Sequence, residues 1–422
     1  MTHIYKLIFG LAMLFWTASS AYASDQTSPI SLSEVLTLAK ITADPSVESY
    51  LAKSDMQRDL SIAASQLPDP KIRFGISNLA VDSFSLTQEP MTSLQLGIHQ
   101  SFQSSLKRKL AGQEGLEKSK ASVFAAKNRE KEITRTIKKL YARLVFSHAL
   151  EDLISQKKNI LQRSIQSYEN RLRNADSKLP ISLEIRAELA LLDDKFMEVM
   201  QGRQQVQAYL SRYIGGPHAS RSPNDDYNVF GLPMPLKMIE QGLRDHPALM
   251  IDAAMIKAND HSIKLAKENY KPDWGIDLGY ANRGAGRADM ATAMVTMNVP
   301  LFTKKRQDKK LSAAKRAKQS AILTQRSREL EMMKAVRAHF ALWQQSEERI
   351  DLYNKIIIAR TQATTHAYEN AFSHGRGDFS QFIRSHLSEL NALINLEQIK
   401  FQRATATIEL NYYAADSEGA DK

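Results

Sequence analysis

The sequence carries one pattern twice, about 200 residues apart, and any fold must house both copies. Leu67-Pro68-Asp69-Pro70, followed by Ile72, Phe74 and Gly75, reappears as Pro272-Asp273, Ile276, Leu278 and Gly279, and Asn78 is answered by Asn282. Pro45 has its counterpart in Pro247, and Tyr168-Glu169-Asn170 recurs verbatim as Tyr368-Glu369-Asn370. Each copy reads as helix, strand, strand, long helix, helix. The expected division is a segment 1–23 described below, a first repeat over 24–220 and a second over 221–422.

The strands are predicted from period-two alternation, over 71–79 and 92–100 in the first repeat and over 273–281 and 291–299 in the second. Ile72, Phe74 and Ile76 share one face of the first strand, against Lys71, Arg73 and Ser77. Leu94, Leu96 and Ile98 do the same in the second, as do Trp274, Ile276, Leu278 and Tyr280, then Ala293, Val295, Met297 and Val299, in the later copy. Apolar on one face and polar or small on the other, these segments match the length and dyad of membrane barrel strands. The lesser alternative is a pair of hairpins on a soluble core, which alternation alone does not exclude. Four strands cannot close a barrel, so a barrel requires several chains.

The remainder is helical. From Phe102 to Arg173 there is no proline, and Phe302 to His374 has neither proline nor glycine, which gives two helices of about 70 residues and about 105 Å. Flanking helices, Leu32 to Gln66, Ile181 to Tyr213, Leu236 to Asn269 and Asp378 to Tyr413, are each about half that length. Antiparallel helical hairpins over 102–213 and 302–413 follow, with turns at Asn174 to Pro180 and Ser373 to Asp378. With only 17 glycines and 13 prolines in 422 residues, a sandwich of many short strands is excluded. The fold class is mainly α with a small β part.

Lys6, the apolar run Leu7 to Phe15 and the ending Ala21-Tyr22-Ala23 form an expected signal peptide cleaved before Ser24. Its removal takes one lysine and no acid, lowering the net charge from +11 to +10. Export, and the interspersion of 57 basic with 46 acidic residues, argue against a nucleic-acid partner. Absence of cysteine excludes disulfides, thiolate metal sites, a cysteine nucleophile and a lipidated cysteine. No H-E-x-x-H, P-loop, dinucleotide or G-x-S-x-G element is present, so no catalytic site and no cofactor is expected. His366, His374 and His386 cluster near the second turn, but no carboxylate spacing completes a metal site. The basic triplets Lys107-Arg108-Lys109 and Lys304-Lys305-Arg306, just after each strand pair, suit either a solvated face or anionic headgroups.

Taken together, the export segment, the tandem repeats, the Pro-Asp strand entries and Gln100 or Pro300-Leu301-Phe302 before a basic helix start resemble the outer-membrane efflux protein family, the TolC-like channels, over nearly the whole mature chain. The Leu67-Pro68-Asp69-Pro70-Lys71-Ile72 segment is most similar to the branch paired with heavy-metal pumps, such as CzcC and CusC. The resemblance implies a homotrimer in the outer membrane of a Gram-negative bacterium, with a shared 12-stranded β-barrel and an α-helical periplasmic tunnel. It implies partnership with a periplasmic membrane-fusion adaptor and an inner-membrane pump of the RND type, and a passive exit duct for metal ions, drugs or other small molecules. It places the tunnel's tip, gate and adaptor contact at Ala175, Ser177, Leu179, Phe372, Gly375, Arg376, Gly377, Asp378, Gln381 and Arg384. Two departures stand out. The first turn has Ala175 and Ser177-Lys178-Leu179-Pro180 in place of a glycine, and Gln381 and Arg384 stand nearest the paired aspartates that narrow the best-known entrances. The competing reading is a periplasmic coiled-coil adaptor or scaffold, and a third is a periplasmic metal-binding protein.

Overall fold

The computed structural model describes residues 28–172, 179–374 and 376–414, with the side chains of 169–185 outside the description. The expected signal peptide lies outside the described residues. The elements are α1 (Leu32–Thr42), α2 (Pro45–Ala64), β1 (Lys71–Ser77), β2 (Ser93–Phe102), α3 (Ser105–Leu172), α4 (Leu179–Ile214), α5 (Leu236–Gly242), α6 (Pro247–Glu268), β3 (Asp273–Asn282), β4 (Met290–Asn298), α7 (Gln307–Leu352), α8 (Ile358–Ser373) and α9 (Phe379–Tyr413). A single wide turn of π-helix, Tyr353–Ile357, joins α7 to α8.

Two flanking helices are interrupted. The stretch from Leu32 to Gln66 divides at Ala43, whose φ of 44° takes the chain out of the helical region just before Pro45 opens α2. The stretch from Leu236 to Asn269 divides at a 3₁₀ turn, after which His246 caps α6 through its ring nitrogen on the Ala248 amide and Pro247 takes the first helical position.

The chain forms two compact units. One contains residues 46–128 and 244–331, and the other the remaining described residues. In the first, β1 to β4 make one antiparallel sheet in sequence order. The repeats meet at its centre, where Gly97 of β2 faces Gly279 of β3. Small residues let α2 approach α3. The Ser61 hydroxyl donates to the Gly112 carbonyl at 2.6 Å, Ser54 and Ser119 share a buried hydrogen bond, and a Cβ on Gly115 would fall 2.8 Å from the Ser61 Cβ. On the other copy, Asp252 and Asp260 of α6 pair with Arg328 and Lys318 of α7, each at 2.7 Å.

In the second unit the core runs along α3, α4 and α9, with Tyr141, Leu144, Ile154, Leu161, Leu210, Leu390 and Ile408 fully buried. The segment after α4 ties the start of the described chain onto this core. Ile30 bridges Pro223 in parallel, its amide donating to the Ser222 carbonyl at 2.8 Å and its carbonyl accepting from the Asn224 amide. Asp225 accepts from the Leu32 amide at 2.6 Å, and the buried Tyr141 hydroxyl lies 2.9 Å from the same carboxylate oxygen and 2.8 Å from the Ile30 carbonyl. Burial, with Asp225 alongside, pushes the Tyr141 phenol well above its usual range, so it stays a donor. Arg221, almost wholly buried, grips the Ser28 and Pro29 carbonyls and the Glu34 carboxylate.

Tyr141→Phe leaves Asp225 and the Ile30 carbonyl short of a donor in a dry setting, and is expected to cost about 1–3 kcal/mol in a denaturant titration. A change within a few tenths would show that the tether contributes nothing to this unit.

Candidate functional site

The sheet has two chemically distinct faces. Its apolar face consists of Ile72, Phe74 and Ile76 on β1, Leu94, Leu96 and Ile98 on β2, Trp274, Ile276, Leu278 and Tyr280 on β3, and Val295 and Met297 on β4. All are exposed, Ile72, Phe74 and Val295 by 73%, 79% and 66%. Among the described residues no layer of the protein covers them. An uncovered apolar face of this extent demands a non-aqueous neighbour.

The opposite face carries a built polar cluster. His99 sits directly across from Asp277 in the ladder, its Nδ1 3.0 Å from Oδ1, while Arg73 reaches the same oxygen from two strands away at 2.7 Å. Gly275 leaves room for the His99 ring, which a Cβ at that position would approach to 2.7 Å, whereas a Cβ on Gly97 would make only ordinary contact with the Arg73 guanidinium. Where the sheet ends, Lys107 at the start of α3 is buried, its Nζ 2.8 Å from both the Asp273 carboxylate and the Lys271 carbonyl. The Pro-Asp entry to β3 therefore fastens one repeat to the other.

The second candidate element is the turn between α8 and α9. Asp378 caps α9 by accepting from the Ser380 amide at 3.0 Å, and the Arg376 amide donates to the Ala371 carbonyl. Aromatic rings close the turn. Tyr168 stacks on Phe379 at 4.0 Å between centroids, Phe372 lies 4.9 Å from Phe379 and 5.2 Å from Phe382, and Phe382 meets the His386 ring edge-on at 4.6 Å. Gly377 is the tight point, since a Cβ there would fall 2.7 Å from the Phe372 amide nitrogen and 2.9 Å from the Ala371 carbonyl carbon.

Of the expected tip residues, the structure thus brings Phe372, Arg376, Gly377 and Asp378 to this turn, and Gln381 and Arg384 project from the exposed face of α9. Leu179 starts α4, and its side chain is among those not described. Ala175, Ser177 and Gly375 lie outside the described residues. Sequence reasoning passed over Tyr168, Phe379 and Phe382, although the Phe-x-x-Phe spacing on one helical face is a readable signal. It also passed over the polar layer beneath them. Lys157 of α3 pairs with Glu389 of α9 at 2.6 Å, and Glu369 of α8 lies 3.1 Å from His366 and 3.2 Å from the buried His386. His374 bonds back to the Asn370 carbonyl instead. Among the described residues no three His, Asp or Glu side chains are arranged to hold a metal.

Residues 238–415 match the family model described as outer membrane efflux protein. No curated protein matches the chain. Solved structures match the fold along nearly its whole length. CusC aligns with a TM-score of 0.79 at 14% identity, covering 91% of this chain and 92% of that one. VceC from Vibrio cholerae, an outer membrane protein, gives 0.72 at 17% identity over 90% and 95%. The open state of the MtrE outer membrane channel of Neisseria gonorrhoeae gives 0.73 at 14% identity over 90% and 88%. At such identities the likeness is one of fold, and this mainly helical chain with its small sheet has the fold of the efflux channels.

Two predictions concern the turn. Gly377→Ala forces its methyl group into backbone and is expected to cost about 1–3 kcal/mol and to loosen the turn, seen as faster amide hydrogen exchange over 371–380. Burial first, and Lys157 second, push the His386 imidazole below its ordinary value of 6.5, against the pull of Glu369 and Glu389. A depressed histidine is protonated later in the folded state than in the unfolded one. Stability is therefore full above pH 6.5, falls as pH drops from there toward the folded value, and levels off below it. His386→Gln is expected to flatten that dependence, measured as denaturant midpoints at about pH 7.5 and about pH 5.5.

Proposed function

We propose that this protein is the passive outer-membrane exit duct of a tripartite efflux system, assembled from three copies. The observation that carries the reading is the four-stranded sheet, with one face mainly apolar and uncovered among the described residues, and with β1 and β4 at its edges. Neither edge is tolerable in hydrocarbon, where every backbone donor and acceptor needs a partner. Three copies placed edge to edge give twelve strands, apolar toward lipid and polar toward a water-filled lumen. Among the described residues no helix is long and apolar enough to cross a membrane, so the sheet is the part that enters it.

The helical part then serves as the conduit beyond the membrane. The turn at Phe372, Arg376, Gly377 and Asp378, with Gln381 and Arg384 beside it and together with Ala175, Ser177, Leu179 and Gly375, is the surface offered to a periplasmic adaptor and the place where the duct closes. Energy and selection come from an inner-membrane pump of the RND type, and this chain conducts without transforming its cargo. Heavy-metal cations are the cargo class suggested by the Leu67-Pro68-Asp69-Pro70 segment. A periplasmic scaffold or adaptor would have to shield the apolar face of the sheet from water, and among the described residues no element does so.

The test is the mass of the mature protein extracted from outer membranes in mild detergent, by light scattering corrected for bound detergent. A trimer is expected, and a soluble periplasmic monomer would sink the duct. A charge on the lipid side should also be costly where one on the lumen side is not. Leu96→Arg, near the middle of β2, is expected to lose about 2–4 kcal/mol of barrel stability and most outer-membrane protein, while Gln95→Arg, its neighbour on the polar face, accumulates normally by fractionation and immunoblot.

A further inference from the structure

We propose that β4 of one copy pairs with β1 of the next in a register already present inside each chain, with Val295 opposite Phe74, and that Lys304 and Asp69 form an ion pair fastening the seam. The inference rests on the three-copy barrel of the preceding subsection and adds its residue pairing.

The internal repeat supplies the template. Asp69 corresponds to Asp273 and Lys71 to Gly275, a shift of 204 residues that maps β1 onto β3. In the structure Lys71 pairs with His99, and Gly275 pairs with Thr296. His99 therefore corresponds to Thr296, and β2 maps onto β4 by a shift of 197 residues. The β2–β3 junction, where one repeat meets the other within a chain, is then the image of the β4–β1 junction, where one chain meets the next.

Each observed pair across β2 and β3 gives one pair at the seam. Ile98 with Leu278 becomes Val295 with Phe74, Leu96 with Tyr280 becomes Ala293 with Ile76, and Gln100 with Ile276 becomes Met297 with Ile72. On the other face, Gln95 with Ala281 becomes Thr292 with Ser77, and Gly97 with Gly279 becomes Met294 with Gly75. The exposed apolar residues of the two edges thus meet on one face, where a slip of one residue would turn them to opposite faces. The same mapping carries the buried Lys107–Asp273 pair onto Lys304 and Asp69, both exposed in a single copy.

Closure gives an independent check. Stepping across the strands from Lys71 leads to His99, Asp277 and Met294, and then through the inferred seam to Gly75 of the next copy, four residues further along β1. Three copies accumulate twelve residues of stagger over twelve strands. One residue per strand spacing corresponds to a tilt of about 35°, at the lower end of the range of closed barrels.

Because the chain has no cysteine, disulfide trapping reads the seam without background. Directly opposed positions lie about 4.5–5.5 Å apart between Cα atoms, within disulfide reach, whereas pairs slipped by two residues are about 7–8 Å apart. The test oxidises outer membranes carrying Thr292→Cys with Ser77→Cys, and compares the slipped combinations Thr292→Cys with Gly75→Cys and Thr296→Cys with Gly75→Cys. The opposed pair should yield roughly tenfold more covalent dimer and trimer on a denaturing gel than either slipped pair. In parallel, Asp69→Lys should lower the temperature at which the trimer dissociates in detergent, and Asp69→Lys with Lys304→Glu should restore it. A trimeric mass with a slipped pair trapped instead overturns the register and leaves the barrel standing. An unchanged dissociation temperature for Asp69→Lys overturns the ion pair. A monomeric mass from the same extract overturns the barrel and the register together.

Discussion

A peptide group in hydrocarbon has nowhere to turn for a hydrogen bond but another peptide group, and a four-stranded sheet leaves two rows of such groups unanswered. Much of the molecule's chemistry answers to that constraint. The apolar face of the sheet is continuous from β1 to β4, so no strand can be withdrawn to a soluble core without stranding its neighbours. On the polar face Gly275 leaves room for the His99 ring, and Arg73 and His99 both reach Asp277 across the strands. At the end of the sheet, Lys107 satisfies Asp273 and the Lys271 carbonyl together, closing the one junction between repeats that a single chain can close.

The helical unit solves a different problem with similar means. Long helices in contact along one side need fixed points, and here they are polar anchors set among buried apolar residues. Asp225, Tyr141 and Arg221 hold the Ile30 segment at one place, and the Lys157–Glu389 pair with the His386–Glu369 contact sits beside stacked aromatic rings at another. Removing one member of such a set leaves its partner buried and unanswered, so each set specifies one packing arrangement.

Much of this was legible in the residues. Period-two alternation located all four strands, because one face must be apolar throughout, and the lack of proline and glycine located the long helices. Pro45 and Pro247 were visible as repeat markers, yet the helix breaks before them were not read, because a proline at a first helical position resembles one inside a continuing helix. The segment 215–235 gave no periodic signal, since its role rests on backbone bridges and on Arg221 and Asp225 meeting partners nearly 200 residues away. At the turn, Gly375 and Gly377 were both expected tip residues, but the steric demand at Gly377 comes from the backbone of Ala371 and Phe372, which only the fold reveals. Arg73 was seen as a polar-face residue, but its convergence with His99 and Asp277 depends on register, which composition does not contain.

The wide turn at Tyr353–Ile357 bears on how such a helix can change length. Ser346 and Thr365 are both buried and stand nineteen residues apart. Five turns of α-helix take up about eighteen, so an unbroken helix would carry Thr365 about 100° around from Ser346. The π turn absorbs the odd residue and returns the later stretch to the same stripe. A gain or loss of one residue in a long helix need not be matched by a rewritten sequence along everything that follows. It can be taken up locally, as a ruler takes up a misprinted division, with the rest of the scale still in line.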